Sequence, residues 1–150
     1  MGYRNVVVGT DGSETAEKAV AHAAEVAKTF GARLTIVTAY VHDKVKEARK
    51  VSDVPEDLRW MAADVNEAEA RAKRGKAMAK KLGVTDVVVR TGASDPALAL
   101  IQAAEEGGGD LIVTGNRGIT QATRAIKGNV PNKVSHHAPC DVLIVHTTDG

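Results

Sequence analysis

Residues 5–10, Asn-Val-Val-Val-Gly-Thr, hold three consecutive valines and so offer no polar side to water. A strand points alternate side chains to opposite faces, so this run fits only a sheet covered on both sides. Further β-branched runs follow at 33–40, 86–90, 110–114 and 141–147. The stretches between them have helical period instead. Ala16, Ala19, Val20, Ala23, Val26, Ala27 and Phe30 make one apolar stripe, with Ser13 placed as N-cap and Gly31 as a left-handed stop. Val65, Ala68, Ala72, Ala79 and Leu82 make a second stripe in a helix opened by Asp64, interrupted at Gly75 and ended by Gly83. On its wet side Glu67 and Arg71, and Glu69 and Lys73, are spaced as favourable i,i+4 pairs. Ser94-Asp95-Pro96 caps a third helix, with Ala97, Leu98, Leu100, Ile101 and Ala104 on its apolar side and Gly107-Gly108-Gly109 as its break. A short helix near 131–137 precedes the last strand. Strand–helix–strand repetition without hairpin signals predicts an α/β domain: a doubly wound parallel sheet with helices on both faces.

The expected unit is a single domain over 1–150, with residues 41–63 as a mobile or irregular connection carrying Pro55 and the lone Trp60. Twenty Lys and Arg stand against nineteen Asp and Glu, a balance that argues against a nucleic-acid surface. Cys140 is the single cysteine, which excludes an intrachain disulfide and a multi-cysteine metal site. The opening residues show no leader pattern, Val6 spoils a myristoylation signal behind Gly2, and no apolar run approaches a bilayer's thickness. A soluble cytoplasmic protein, without membrane or nucleic-acid partners, is the expectation.

Ligands of open parallel sheets bind beyond the carboxyl ends of the strands, where the winding reverses. The candidate loops are therefore Thr10-Asp11-Gly12-Ser13, Ala39-Tyr40-Val41, and Gly115-Asn116-Arg117-Gly118 continuing to Gly128-Asn129. Glycines let a backbone approach a ligand closely, and Gly128-Asn129 stands just before a helix whose free N–H groups favour phosphate. On loop chemistry alone, a tight turn and a helix cap explain these residues equally well. Charge tips the reading. From Leu111 to Cys140, thirty residues, there is no Asp or Glu, but there are Arg117, Arg124, Lys127 and Lys133. Removing those four cations leaves sixteen basic against nineteen acidic residues, a formal −3 for the rest of the chain. A cationic glycine loop suits a polyphosphate. Asp11 is placed either for a ribose hydroxyl or nucleotide-bound magnesium, or for an Asx-turn before the helix.

Val6-Val7-Val8-Gly9-Thr10-Asp11-Gly12-Ser13, the G-x2-G-x9-G spacing of Gly115, Gly118 and Gly128, and the closing His137-Ala138-Pro139-Cys140-Asp141-Val142-Leu143-Ile144-Val145 resemble the universal stress protein family. The match runs from about residue 4 to about residue 147. The resemblance implies a five-stranded sheet in order 3-2-1-4-5, Rossmann-like and adenine-nucleotide-alpha-hydrolase-like, commonly a homodimer, in the branch that binds ATP. By position it implies a nucleotide site of Gly9, Thr10 and Asp11 toward adenosine and ribose, and Ala39 and Tyr40 flanking adenine through their backbone. Gly115, Arg117, Gly118, Gly128, Asn129 and Val130 complete it around the phosphates. One departure is Asn129, where the family has Ser or Thr. It keeps a cap and a donor but loses a small hydroxyl, a change that shifts preference among ATP, AMP and cyclic AMP.

Competing motifs fail. No Walker A loop and no G-x-G-x-x-G follows the first strand, and a phospho-receiver's acidic pair and lysine are missing. No nucleophile–base–orienter set is visible, so no catalytic residue is assigned. Cys140 reads as a packing thiol, and His22, His136 and His137 as surface histidines. Val142, Leu143, Ile144 and Val145 are apolar on both faces. At a sheet edge they would pair with the same strand of a second copy, or lie under a loop. The expected function is an adenine-nucleotide-binding stress sensor or regulator. The alternatives are a slow ATP hydrolase or phosphotransfer enzyme, a cyclic AMP-binding protein, and a scaffold that has lost the nucleotide.

Overall fold

A computed structural model describes residues 2–40, 64–93, 95–116 and 130–147. Five strands, β1 (Asn5–Gly9), β2 (Arg33–Tyr40), β3 (Val87–Ala93), β4 (Leu111–Gly115) and β5 (Asp141–Val145), form one sheet in the order β3-β2-β1-β4-β5. Every pairing is parallel. The helices are α1 (Glu14–Phe30), α2 (Asp64–Lys81), α3 (Pro96–Gly107) and α4 (Val130–His137).

The valine triplet explains the layering. Val6 and Val8 are fully buried in a core with Val20, Ala23 and Ala27 of α1 and Ala79 of α2. Val7, also fully buried, points the other way into a core with Leu100 and Ala104 of α3 and Val134 of α4. Burying such a side chain contributes roughly 1.5–3 kcal/mol, so the triplet favours a covered central position over any edge. Register places Val7 between Thr35 of β2 and Ile112 of β4.

The helix ends follow the expected caps. Ser13 Oγ accepts from the Ala16 amide at 3.2 Å, and Asp95 Oδ1 accepts from the Ala97 amide at 2.9 Å. Gly31 stands at φ 65°, a conformation disfavoured for residues with a Cβ. Gly75, the break in the α2 stripe, is a contact point: a Cβ there would lie 3.3 Å from Ile36 Cγ2. Its bareness lets the helix lie close on β2.

At the amino ends of the strands, polar groups close on one another. The Arg4 and Asn5 amides donate to the two carboxylate oxygens of Asp110 at 2.8 and 3.0 Å. The buried Asn5 side chain donates to the Gly107 carbonyl at 2.9 Å and accepts from Thr35 Oγ1 at 3.0 Å. Tyr3 stacks edge-on against Phe30 and donates its hydroxyl to Asp141 Oδ2 at 2.9 Å. That bond to a carboxylate, ahead of desolvation, raises the pKa of the phenol.

Two strand ends differ from expectation by more than one residue. β3 continues past Arg90 to Ala93, because its pairing with β2 runs on through Tyr40. β5 stops at Val145, because Asn116 draws the following residues into side-chain bonds. β5 does lie at the sheet edge. Val142, Leu143 and Val145 pack against the two cores, and Ile144 is 40% exposed. Residues 41–63, and with them Trp60, lie outside the described residues.

Candidate functional site

The chain leaves β1 toward β2 on one side of the sheet and reaches β4 on the other, so the winding reverses between β1 and β4. A cleft of about 390 Å³ opens there, beyond the carboxyl ends of the strands. Its lining comes from several elements. Gly9, Thr10, Asp11 and Ser13 arrive from the end of β1 and the turn into α1, and Val37 and Ala39 from β2. Pro96 and Leu100 come from α3, Thr114 and Gly115 from β4, Val130 and Pro131 from α4, and Thr147 from the segment after β5. Val37, Ala39, Leu100 and Pro96 make apolar wall; Thr10, Ser13, Thr114 and Thr147 supply hydroxyls. Asp11 is the one charged side chain among the described lining residues.

The turn after β1 is built by its own side chains. The Thr10 amide donates to the Val37 carbonyl at 2.9 Å, which anchors the turn to β2. Thr10 Oγ1 accepts from the Gly12 amide at 3.1 Å, and Asp11 Oδ1 accepts from the Ser13 amide at 2.9 Å. Asp11 therefore makes an Asx-turn, and its exposed carboxylate also borders the cleft. Gly12 stands at φ 82°, and a Cβ there would press on Arg71 Cγ at 2.9 Å. Three amides of this turn, those of Thr10, Gly12 and Ser13, are thus already committed.

The β4 side is shaped by a glycine and an asparagine. A Cβ on Gly115 would lie 3.1 Å from Thr147 Oγ1, so the bare glycine makes room for that threonine. The Asn116 amide extends the ladder to the Val145 carbonyl at 2.9 Å. Its side-chain oxygen accepts from the Thr147 amide at 2.8 Å and from Thr147 Oγ1 at 3.2 Å. Val130 and Pro131 open α4 at the cleft, with proline in the first turn where its missing N–H is harmless.

Of the residues expected at a site, Gly9, Thr10, Asp11, Ala39, Gly115 and Val130 surround this one cleft. Tyr40 ends β2, and its side chain lies outside the described residues. Arg117, Gly118, Arg124, Lys127, Gly128 and Asn129 also lie outside them. The fourth cation of the acid-free segment is spoken for: Lys133 Nζ donates to Asp95 Oδ2 at 2.8 Å. Burial pushes the Asp95 carboxyl upward, but the Lys133 hydrogen bond, the Ala97 amide and the Lys133 charge together hold it below its ordinary value. Thr147, Thr114 and Asn116 were not singled out by sequence reasoning. Asn116 stands inside the glycine loop, but its partner lies 31 positions away.

No group of three His, Cys, Asp or Glu among the described residues could hold a metal ion. His136 and His137 are exposed at the end of α4, and burial first, then the charges of Asp141 and Asp110, push the Cys140 thiol up. A thiol so disfavoured as thiolate fits packing. The described cleft can therefore hold a partly apolar, hydroxyl-bearing ligand, and it offers one carboxylate for either a hydroxyl or a ligand-borne cation. No described helix is long and apolar enough to cross a membrane.

The sequence profile of the universal stress protein family matches residues 2–146. A universal stress protein of Mycobacterium tuberculosis is 36% identical over 146 residues, spanning 97% of this chain and 98% of the relative. A putative universal stress protein of Staphylococcus haemolyticus is 34% identical over 148 residues, spanning 98% and 87%. Among solved structures, a universal stress protein in complex with cAMP is 32% identical, with a TM-score of 0.76 over 99% of this chain and 100% of that one. One from Archaeoglobus fulgidus in complex with dAMP, 21% identical with a TM-score of 0.68 over 96% and 98%, shares the fold.

Proposed function

This chain belongs to the universal stress protein family, and from that premise we propose that it binds an adenine nucleotide in the cleft beyond β1 and β4 as a regulatory ligand. The observation that carries the proposal is the cleft's composition: an apolar wall between β2 and α3, a set of threonine and serine hydroxyls, and one carboxylate at the switch point. Such a wall suits a purine, and the hydroxyls suit a sugar and its phosphate. The 32% identical relative in complex with cAMP supports the same ligand class.

In this reading Ala39 and Tyr40 flank the base through their backbone, and Gly9, Thr10 and Asp11 face the ribose. Gly115, Arg117, Gly118, Gly128, Asn129 and Val130 take the phosphate side. The committed amides of the β1–α1 turn support that division, since they leave phosphate to the other loop. Magnesium would arrive with the nucleotide, and Asp11 is the carboxylate to meet it. The proposal treats 1–150 as one nucleotide-binding unit in the cytoplasm, in which β5 pairs with its copy in a homodimer. The exposed Ile144 on that edge strand supports pairing there.

Calorimetric titration of the full chain with ATP, ADP, AMP and cyclic AMP tests the reading. One-site saturation with at least one of them is expected, and absence of heat with all four contradicts it. Slow ATP hydrolysis is the second reading, resting on Asp11 as the one described carboxylate at the cleft. Phosphate release over hours that an Asp11→Asn variant abolishes would establish it.

A further inference from the structure

Thr147 follows the last strand and is 3% exposed, yet it lines the cleft. Its backbone N–H donates to Asn116 Oδ1 at 2.8 Å. A backbone N–H can only donate, so this bond fixes which end of the Asn116 amide is oxygen. The opposite end is then the NH2 group, 3.1 Å from His146 Nδ1, and it donates there. Thr147 Oγ1 lies 3.2 Å from the same Asn116 oxygen and gives it the hydroxyl hydrogen. With its one hydrogen so directed, the hydroxyl has lone pairs alone to offer elsewhere. Gly115 carries no Cβ at the point 3.1 Å from Oγ1, so β4 leaves that oxygen uncovered.

We infer that Asn116 is a positioning residue that turns Thr147 into an acceptor-only wall of the cleft, which selects ligands presenting a sugar hydroxyl there over ligands presenting a phosphate oxygen. The inference rests on the nucleotide reading above and adds a specificity determinant to it. A phosphate oxygen against Thr147 would set lone pair against lone pair; a hydroxyl donor completes the bond. The adenine amino group is also a donor, but the proposed base wall is β2, with β1 and β4 between it and β5. Thr147 adjoins Gly115 at the start of the proposed phosphate loop, so the donor it would meet is the ribose hydroxyl edge next to the phosphate rather than the base.

The test compares AMP with 2′-deoxy-AMP and 3′-deoxy-AMP by titration of the full chain. The unmodified protein is expected to bind AMP about tenfold more tightly than at least one deoxy form, the size of one well-formed hydrogen bond. Thr147→Val keeps the shape and removes the acceptor, so the preference should fall below about twofold, through weaker AMP binding rather than tighter deoxy binding. Thr147→Ser should retain it. Asn116→Ala frees the hydroxyl to rotate, so that it donates as well as accepts, and should narrow the preference. A merely structural role would weaken all three ligands alike. Binding with an unchanged preference in Thr147→Val and Asn116→Ala overturns this inference alone. Failure of the unmodified protein to bind AMP, ATP or cyclic AMP overturns it together with the nucleotide reading.

Discussion

The two ends of the sheet use the same residue types for opposite purposes. At the amino end, Asn5, Asp110 and Thr35 close on one another and on backbone groups, so their bonds staple β1 to β2 and to the turn before β4. At the carboxyl end, Asp11, Thr10, Thr114 and Thr147 border a cleft of about 390 Å³, where their remaining bonding capacity is open to a ligand of the proposed kind. Asn5 and Asn116 make the pairing plain. Each spends both ends of its amide within the protein, one to lock a sheet and the other to aim a threonine. Polar residues near strand ends are thus not a site by themselves; what matters is whether their partners are already inside the chain.

Breaking the closed end should have the largest effect on stability and none on binding. Asn5→Ala strands Thr35 Oγ1 and the Gly107 carbonyl and should cost about 2–4 kcal/mol in chemical denaturation. Nucleotide affinity measured under native conditions should stay within about twofold. Gly115→Val is the mirror case: its side chain meets Thr147 at 3.1 Å or less and enters the cleft. Affinity should fall at least about tenfold, with a melting temperature lowered by only a few degrees. Equal damage to both properties in either variant would dissolve the contrast between the ends.

Smaller changes sharpen it. Asp11→Ala removes the turn bond to the Ser13 amide and the proposed ribose contact, about 1 kcal/mol in affinity or roughly fivefold. Asp95→Asn keeps a competent N-cap on α3 and discards only the ion pair to Lys133. Asp95 is held below its ordinary value in the folded chain. Its stabilising contribution is therefore present above about pH 4, where the unfolded carboxyl ionises, and is lost as pH falls through the lower folded value. The half-exposed pair is worth about 0.5 kcal/mol at pH 7. The variant and the parent should therefore converge in stability near pH 2, and a difference that grows on acidification would contradict the assignment.

Much of this was legible in the chain because it is local. The Val6–Val8 triplet dictates a covered central strand; Ser13, Asp95 and Gly31 announce helix ends by chemistry that acts within four residues. Loops after the strands point to the cleft because the doubly wound fold puts them there. Long-range pairings were not legible. Asn5 with Thr35, Asn116 with Thr147 and Lys133 with Asp95 join residues that no periodicity connects. Lys133 shows the consequence: counted as free charge in an acid-free stretch, it is folded against the carboxylate that caps α3. Gly75 likewise reads as a flaw in the α2 stripe until Ile36 is seen beneath it.

The claim that one end of the sheet is closed and the other awaits a nucleotide can be read amide by amide. Backbone amide NMR spectra of the full chain, free and saturated with cyclic AMP, should show shifts concentrated at Gly9–Ser13, Ala39, Thr114–Asn116, Val130 and Thr147. Arg4, Asn5, Gly107 and Asp110 should stay in place. Shifts centred on those four instead, or no shifts at saturating ligand for cyclic AMP, AMP and ATP alike, would contradict the account.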